Sequence, residues 1–137
     1  MKNGFTLIEL LIVIAVVSCL IAFSIFGMEG FRNSLEYSNS VSQVLSDIKL
    51  TQQLANTSSQ TCRIDFDPDS GAYSVSEAGR LYKCFTAGKN IRFSGKIYFE
   101  FLASGDTSVG GSGTLVIAGS SNPKKIIVSQ RGRIRIE

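Results

Sequence analysis

The feature that most constrains this chain is the apolar run at its start, from Phe5 to Met28. The run is 24 residues long, contains no proline and carries one charged side chain, Glu9. As a helix rising about 1.5 Å per residue it would be roughly 36 Å long, enough to cross a bilayer. A carboxylate at membrane depth costs about 3 kcal/mol or more unless a cation neutralises it. Glu9 therefore predicts a positively charged partner.

A cation for Glu9 can arise one helical turn away. Phe5 and Glu9 are four residues apart, so they lie on the same face of a helix. Cleavage of the chain after Gly4 would leave a positively charged amine on Phe5, close to the Glu9 carboxylate of the same chain or of a neighbouring chain. We therefore single out Gly4, Phe5 and Glu9 as candidate functional residues.

These residues carry a resemblance to a known class of proteins. The short basic leader of residues 1–4, the following Phe-Thr-Leu-Ile-Glu-Leu and the long apolar helix resemble the class III signal of type IV prepilins and type II secretion pseudopilins. The resemblance implies cleavage between Gly4 and Phe5 by a prepilin peptidase on the cytoplasmic side, methylation of the Phe5 amine, and packing of the mature helices into a fibre. It also implies that Glu9 pairs with the amine of an adjacent subunit during assembly.

Three other interpretations of this segment stay open at the level of the sequence. An ordinary signal peptide would use Lys2 as its basic start and a small-residue site at 22–24, although Glu9 has no role in such a peptide. The run 16–19 resembles a bacterial lipoprotein box, which would make Cys19 a lipidated N-terminus. A plain single-pass anchor would keep Glu9 near the interface, within reach of water. N-terminal sequencing separates these interpretations, because only a pilin starts at a methylated Phe5.

The rest of the chain is long enough for one small domain. We expect a leader at 1–4, a transmembrane and assembly helix at 5–28 and one extracytoplasmic domain at 29–137. The 14 basic and 11 acidic residues leave a net charge of +3, which is too small to require nucleic acid or an anionic surface as a partner. The absence of histidine excludes a Ser-His-Asp or Cys-His catalytic arrangement. We expect a structural and interaction protein that is not an enzyme and uses no cofactor and no small-molecule substrate.

An acidic stretch offers a weak metal-binding pattern. Asp65, Asp67 and Asp69 alternate ahead of Gly71, as in part of a calcium-binding loop. The downstream glutamate of such a loop is missing and Pro68 interrupts the pattern, whereas the same residues are typical of a hairpin turn. We expect the turn, and no metal site.

Two cysteines suggest a disulfide. Cys62 and Cys84 form an even pair in the part of the chain expected outside the cytoplasm, where oxidising conditions allow a bridge. We expect them to pair. Two free thiols are the alternative, because the sequence does not show whether the two Cα atoms approach within about 7 Å. Cys19 is expected to be a small residue of the apolar helix.

The periodicity of the chain predicts an α+β fold. From Met28 to about Asn56 apolar residues recur at steps of three and four, which predicts an amphipathic continuation of the helix. The apolar stripe consists of Phe31, Leu35, Val41, Val44, Leu45, Ile48, Leu54 and Ala55. From Cys62 onward the period is two, and Gly, Ser, Asn and Pro separate short runs, which predicts antiparallel strands. The expected strands are 62–66, 72–76, 81–85, 91–93, 97–101, 114–118, 125–129 and 133–136, with a mobile Gly/Ser-rich loop at 103–113.

These elements imply one long N-terminal helix, membrane-spanning in its first half and amphipathic in its second, packed on an antiparallel β-sheet. The same arrangement is the pilin-like fold that the resemblance implies. The expected sheet partners of the helix are Ile64, Phe66, Leu115, Ile117, Ile126, Val128, Ile134 and Ile136.

The last strands carry a second resemblance. The segments 113–117, 125–129 and 131–136 look like the closing strands of the GspH/FimT group of minor pseudopilins and minor pilins. In this group the secretion branch sits in a tip complex that primes a pseudopilus, and the pilus branch includes proteins that bind DNA during natural transformation. Gly132-Arg133-Ile134-Arg135 matches the G-R-x-R element of the DNA-binding branch.

Three arginines give this DNA-binding alternative a physical basis. In a strand, Arg131, Arg133 and Arg135 would lie on one face about 6.7 Å apart, beside Lys124 and Lys125 of the preceding strand. Such a row could hold successive phosphates by charge-assisted contacts. The alternative is a solvated charged face that discourages aggregation of an edge strand. No aromatic residue lies among the arginines, so a stacking platform for single strands is not supported.

Together the two resemblances imply a minor pilin or pseudopilin. It would be anchored by a single span in the bacterial inner membrane, with its domain in the periplasm or outside, and would then be assembled into a pilus or pseudopilus. The implied partners are the prepilin peptidase, other pilins or pseudopilins contacted through the N-terminal helices, the inner membrane and, in the alternative, DNA.

Overall fold

The protein is described here from a computed structural model, which describes residues 6–26, 28–88, 90–119 and 121–137, with 23–26 as backbone only. The chain divides into two compact units between Asn33 and Ser34. Helix α1 (Leu7–Phe26) belongs to the first unit, and helix α2 (Met28–Ser58) begins there and continues into the second. The second unit also contains the strands β1 (Cys62–Phe66), β2 (Ala72–Glu77), β3 (Arg80–Thr86), β4 (Arg92–Gly95), β5 (Tyr98–Phe101), β6 (Gly113–Ala118), β7 (Lys124–Val128) and β8 (Ile134–Ile136).

The predicted helix and strands are confirmed. Each expected strand is present, with ends that differ from the prediction by at most two residues, and α2 ends at Ser58 rather than at Asn56. All the strand pairs are antiparallel. The α+β class and the packing of the second half of the predicted helix, α2, on antiparallel strands follow as predicted.

The strands form two sheets rather than one. Sheet A has the strand order β3-β2-β1-β5, and sheet B has the order β4-β6-β7-β8. The chain passes from sheet B to sheet A between β4 and β5, where Gly95 has a φ of +84°. Directly after it, Lys96 donates its N–H to Thr114 of sheet B, and the Ile97 carbonyl accepts from Phe66 of sheet A. A bent strand that changes sheets therefore joins the two halves of the fold.

Helix α2 and both sheets share one core. The buried residues of α2 follow a helical period: Tyr37, Val41, Val44, Asp47, Ile48, Thr51 and Ala55. They form a single cluster with the inward-facing residues of the strands. Phe31 and Leu35 of the predicted stripe are 63% and 46% exposed, because the buried face of α2 begins only at Tyr37. That part of the predicted core is wrong.

The strand side of the core is mostly as predicted. Six of the expected partners are buried: Ile64, Phe66, Leu115, Ile117, Ile126 and Val128. Ile134 is half-buried and Ile136 is 44% exposed, because β8 is the edge strand of sheet B. The largest fully buried side chains also include three that were not expected there: Phe93, Phe99 and Phe101.

Candidate functional sites

Helix α1 begins with a side-chain cap. The backbone N–H of Glu9 donates to the Thr6 carbonyl at 3.1 Å, and the same nitrogen lies 3.4 Å from the hydroxyl oxygen of Thr6. Thr6 and Glu9 have the spacing of a capping box, and a carboxylate in the first turn is stabilised by the positive end of the helix dipole. Glu9 is exposed. The other two predicted residues of this site, Gly4 and Phe5, lie outside the described residues.

None of the described side chains of α1 is buried. Its large aliphatic side chains are 48% to 77% exposed, and they lie on every side of the helix. The hydroxyl of Ser18 donates back to the Ile14 carbonyl at 2.8 Å, so this polar group is satisfied within the helix. Apolar side chains on all sides are typical of a helix that is buried in a large protein or in a membrane.

Within the described ranges, no helix combines the length and hydropathy that a membrane span requires.

The predicted row of three arginines is interrupted by a turn. Gly132, with a φ of +68°, donates its N–H to the Ser129 carbonyl, and Ser129 donates its own N–H to the Arg133 carbonyl. This is a three-residue hairpin connection closed by a left-handed glycine. Arg131 therefore lies in the turn and not in a strand, and the expected even spacing is wrong at that position. Arg133 follows the turn, and Arg135 lies within β8.

The two predicted lysines lie on opposite faces of sheet B. Ile126 and Val128 are buried, so alternation along β7 puts Lys124 on the side of α2 and Lys125 on the other side. Lys124 is paired with the buried Ile117 of β6, which agrees with this assignment. We call the side of sheet B that faces away from α2 its outer face.

Both C-terminal arginines share the outer face with Lys125. Arg135 is paired with Ile127 of β7, which alternates with the buried residues of that strand. Arg133 precedes Arg135 by two residues and therefore lies on the same side. All three basic side chains are exposed. The structure thus brings three of the five predicted basic residues onto one surface.

Arg92 is a further basic residue of the outer face that was not predicted from the sequence. It is exposed, whereas its neighbours Ile91 and Phe93 are 4% and 2% exposed. The alternation of this arginine with two large apolar residues was the available signal. Nothing in the sequence, however, placed β4 in the same sheet as the C-terminal strands.

The remaining described residues of the outer face are mostly uncharged. By strand register and alternation they are Ser94, Thr114, Val116, Ala118 and Ile127. The acidic exception is Glu137, which exchanges backbone hydrogen bonds of 2.8 Å with Lys125. No aromatic side chain is among these described outer-face positions. The face is therefore basic, with a small aliphatic centre.

The predicted disulfide is absent. Cys62 and Cys84 are both free; Cys62 is buried and Cys84 is exposed. Strand β2 lies between the two strands that carry them, and Cys84 is paired with Ser74 on the face opposite to the core. The two thiols are therefore a strand apart and on opposite faces of sheet A. Burial raises the pKa of the Cys62 thiol, which keeps it protonated.

The acidic stretch forms the predicted turn. The Asp67 carboxylate accepts from the Asp69 N–H at 3.0 Å and from the Ser70 hydroxyl at 2.5 Å, and the bond from Ser70 lowers the pKa of Asp67. Asp65 is engaged separately, in an ion pair with Arg63. Among the residues that the structure describes, no group of three or more candidate ligands is placed to hold a metal ion.

A buried carboxylate that the sequence analysis did not single out joins α2 to sheet A. Asp47 is 2% exposed and accepts hydrogen bonds from Tyr73 at 2.6 Å, Lys83 at 2.8 Å and Gln43 at 3.1 Å. Burial alone would raise the pKa of Asp47, but these donors outweigh burial and lower it. Burial and the bond to Asp47 also raise the pKa of Tyr73. This charged cluster links α2 to β2 and β3.

Comparisons with known proteins found a sequence match at the start of the chain and structural matches over most of it. The sequence profile of the prokaryotic N-terminal methylation motif matches residues 1–27. Among solved structures, the type IV minor pilin FimU of Pseudomonas aeruginosa is similar with a TM-score of 0.64 at 15% identity, over 78% of this chain and 92% of that one. The minor pseudopilin EpsH of the type 2 secretion system of Vibrio cholerae is similar with a TM-score of 0.60 at 16% identity, over 74% and 96%. No curated protein sequence matches the chain.

These matches confirm the resemblance predicted from the sequence. The chain carries the prokaryotic N-terminal methylation motif over residues 1–27, and its fold is similar to that of a minor pilin and of a minor pseudopilin.

Proposed function

We propose that this protein is a minor subunit of a type IV pilus or a type II secretion pseudopilus that is cleaved after Gly4, methylated on Phe5 and assembled through α1. The observation that carries the proposal is the exposure of every described side chain of α1. Covering so much apolar surface is strongly favourable, at about 25 cal/mol per Å². The inner membrane would cover α1 before assembly, and the helices of neighbouring subunits would cover it in the fibre.

Glu9 gives this assembly its register. Its carboxylate lies in the first turn of an apolar helix, where an unneutralised charge opposes burial. The amine of a processed Phe5 on a neighbouring subunit would neutralise that charge only at one axial position. The ion pair would therefore select how far one helix slides along the next, while the aliphatic side chains supply the attraction.

The test compares Glu9→Gln with wild type in the native host. We expect cleavage and methylation of the variant to be unchanged and its incorporation into the fibre to be lost. Ser18→Ala is the matched control, because it changes another polar residue of α1 whose hydroxyl is satisfied within the helix. Normal incorporation of Glu9→Gln would refute the pairing role. Mass spectrometry that finds a mature start other than methylated Phe5 would refute the processing.

A second candidate function is DNA binding by the C-terminal basic residues, in a pilus that takes up DNA. It is favoured by the placement of Lys125, Arg133 and Arg135 together on the outer face of sheet B. Arg131 in the adjacent turn and Lys124 on the α2 side would contribute less direct contacts. Phosphate contacts release counterions, so the affinity should fall steeply with salt.

A gel-shift assay of the full chain in a nonionic detergent tests this second function. At low salt we expect a shift that weakens as salt is raised and that is lost in the double variant Arg133→Gln, Arg135→Gln. Absence of a shift for wild type at low salt would remove this candidate and would leave the assembly function untouched.

A further inference from the structure

We propose that the outer face of sheet B binds the phosphate backbone of double-stranded DNA, and that Arg92 is a second anchor of this site, remote from the C-terminal arginines. This proposal rests on the DNA-binding function proposed above. It adds the form of the nucleic acid and a residue on a different strand, about 40 positions earlier in the sequence.

The basic residues span the full width of the sheet. The strand order β4-β6-β7-β8 puts Arg92 at one edge and Arg135 at the other. Three strand spacings of about 4.8 Å separate these edges by about 14 Å. Lys125, on β7, lies on the same face between them. A ligand that reaches all three must be broad and extended, since no cleft brings the cations together.

The same cations are also displaced along the strands. Measured along the strand direction of sheet B, Lys125 is displaced from Arg92 by two residues. Arg135 is displaced from Lys125 by two more residues in the same direction. Each step of two residues is about 7 Å, so the line from Arg92 to Arg135 is a diagonal about 20 Å long. That length is more than half of the roughly 34 Å turn of a duplex. A row of phosphates matches such a line of separated cations.

The surface between the cations argues for a duplex rather than a single strand. Val116, Ala118 and Ile127 are small or aliphatic, and no aromatic side chain is among the described outer-face positions. Single-strand binding relies on aromatic side chains on which bases stack, whereas a duplex is held through its phosphates. Glu137 follows β8 at one edge of this face, opposite Lys125, and is the only acidic side chain among its described positions. Arg133 and Arg135 outnumber it at that edge, and Arg92 lies at the other edge.

The test uses the full chain in a nonionic detergent, with a short duplex and a single strand of the same sequence as probes. We expect Arg92→Gln to weaken duplex binding several-fold for any sequence and to lower the slope of log affinity against log salt by about one. Arg80→Gln is the matched control: it removes an exposed arginine of sheet A and should change neither quantity. Arg92→Lys should keep most of the affinity, and the thermal unfolding of Arg92→Gln should match wild type.

Each other outcome has a definite meaning. Wild-type affinity and salt slope in Arg92→Gln, with binding lost in the Arg133, Arg135 double variant, would overturn the second anchor and leave the DNA function standing. Tighter binding of the single strand would overturn the duplex assignment. Binding to vesicles of anionic phospholipid without any duplex shift would overturn nucleic acid as the partner. No binding of either probe by wild type at low salt would remove the DNA function itself.

Discussion

The side-chain amide of Gln52 donates a hydrogen bond of 3.0 Å to the carbonyl oxygen of Gly132. The same nitrogen donates to the carbonyl oxygen of Gly105 at 2.8 Å. Helix α2 is therefore tied directly to the turn that precedes Arg133 and to the loop that follows β5. The turn before Arg133 is therefore held by a residue 80 positions before Gly132 in the chain.

Replacing Gly132 by alanine should destabilise the protein strongly. Its φ of +68° is a left-handed conformation, which costs about 1–2 kcal/mol for a residue with a Cβ atom. The added Cβ would also collide with the Gly105 carbonyl and the Gln52 amide. Gly79→Ala is the matched control, because Gly79 has a φ of +79° but open space around it. In chemical denaturation the unfolding free energy of Gly132→Ala should fall by about 2 kcal/mol more than that of Gly79→Ala. Equal decreases would show that the predicted collision at Gly132 does not destabilise the protein.

Replacing Gln52 by methionine should loosen the turn without unfolding the domain. Two carbonyl oxygens lose their side-chain donor, at a cost of about 1–2 kcal/mol in unfolding free energy. We expect the amide of Gly132, which donates to Ser129, to exchange faster with deuterium. Gln53→Met, at the adjacent exposed position, should leave this exchange unchanged. Unaltered exchange in Gln52→Met would show that the turn holds its conformation without α2.

The hydrogen bonds and the ion pair of Asp47 should make the unfolding free energy depend on pH in the acidic range. Hydrogen bonds from Lys83, Tyr73 and Gln43 outweigh burial and lower the pKa of Asp47 in the folded protein. Ionised Asp47 therefore contributes stability at pH values above its unfolded pKa of about 3.9. That contribution is lost as the pH falls through the lower folded pKa. The difference in unfolding free energy between wild type and Asp47→Asn should be largest near neutral pH, about 2 kcal/mol, the magnitude typical of hydrogen bonds to a charged group.

The difference in unfolding free energy between wild type and Asp47→Asn should decrease as the pH falls below about 4. Asp106→Asn, at an exposed loop position, is the control and should lie within about 0.5 kcal/mol of wild type at neutral pH. Denaturation curves at several pH values measure the difference, and a gap that stays constant between neutral pH and pH 3 would contradict the role of the Asp47 charge.

Local features of the sequence were sufficient to predict the elements of this fold. The alternation in 62–66 and the turn after it depend on neighbouring residues, and both are present. The loop at 103–113 was expected to be mobile because of its composition, but long-range bonds hold it: Thr107 donates its N–H to the Gln130 carbonyl at 3.0 Å, and Gly105 accepts from Gln52. Composition alone does not reveal such partners.

Features that depend on strand order were not predictable from local patterns. Two of the three donors of Asp47, Tyr73 and Lys83, come from residues 26 and 36 positions away, and the nearby Gln43 alone does not mark Asp47 as a buried charge. Arg92 joins the C-terminal arginines only because β4 pairs with β6. The prediction of a continuous row of arginines was wrong at Arg131, because the left-handed Gly132 interrupts the extended strand.

The disulfide was mispredicted for the same reason, and this correction leads to a direct chemical test. Cys84 is exposed and Cys62 is buried on the other side of sheet A, so the two thiols should differ sharply in reactivity. In a Cys19→Ala background, a maleimide reagent should label one thiol, Cys84, in the native protein and both thiols after denaturation. The control is Cys84→Ser in the same background, which should show no labelling before denaturation. A protein that shows no labelling in denaturant until a reducing agent is added would instead contain the Cys62–Cys84 bridge, and the arrangement of β1, β2 and β3 described here would then be wrong.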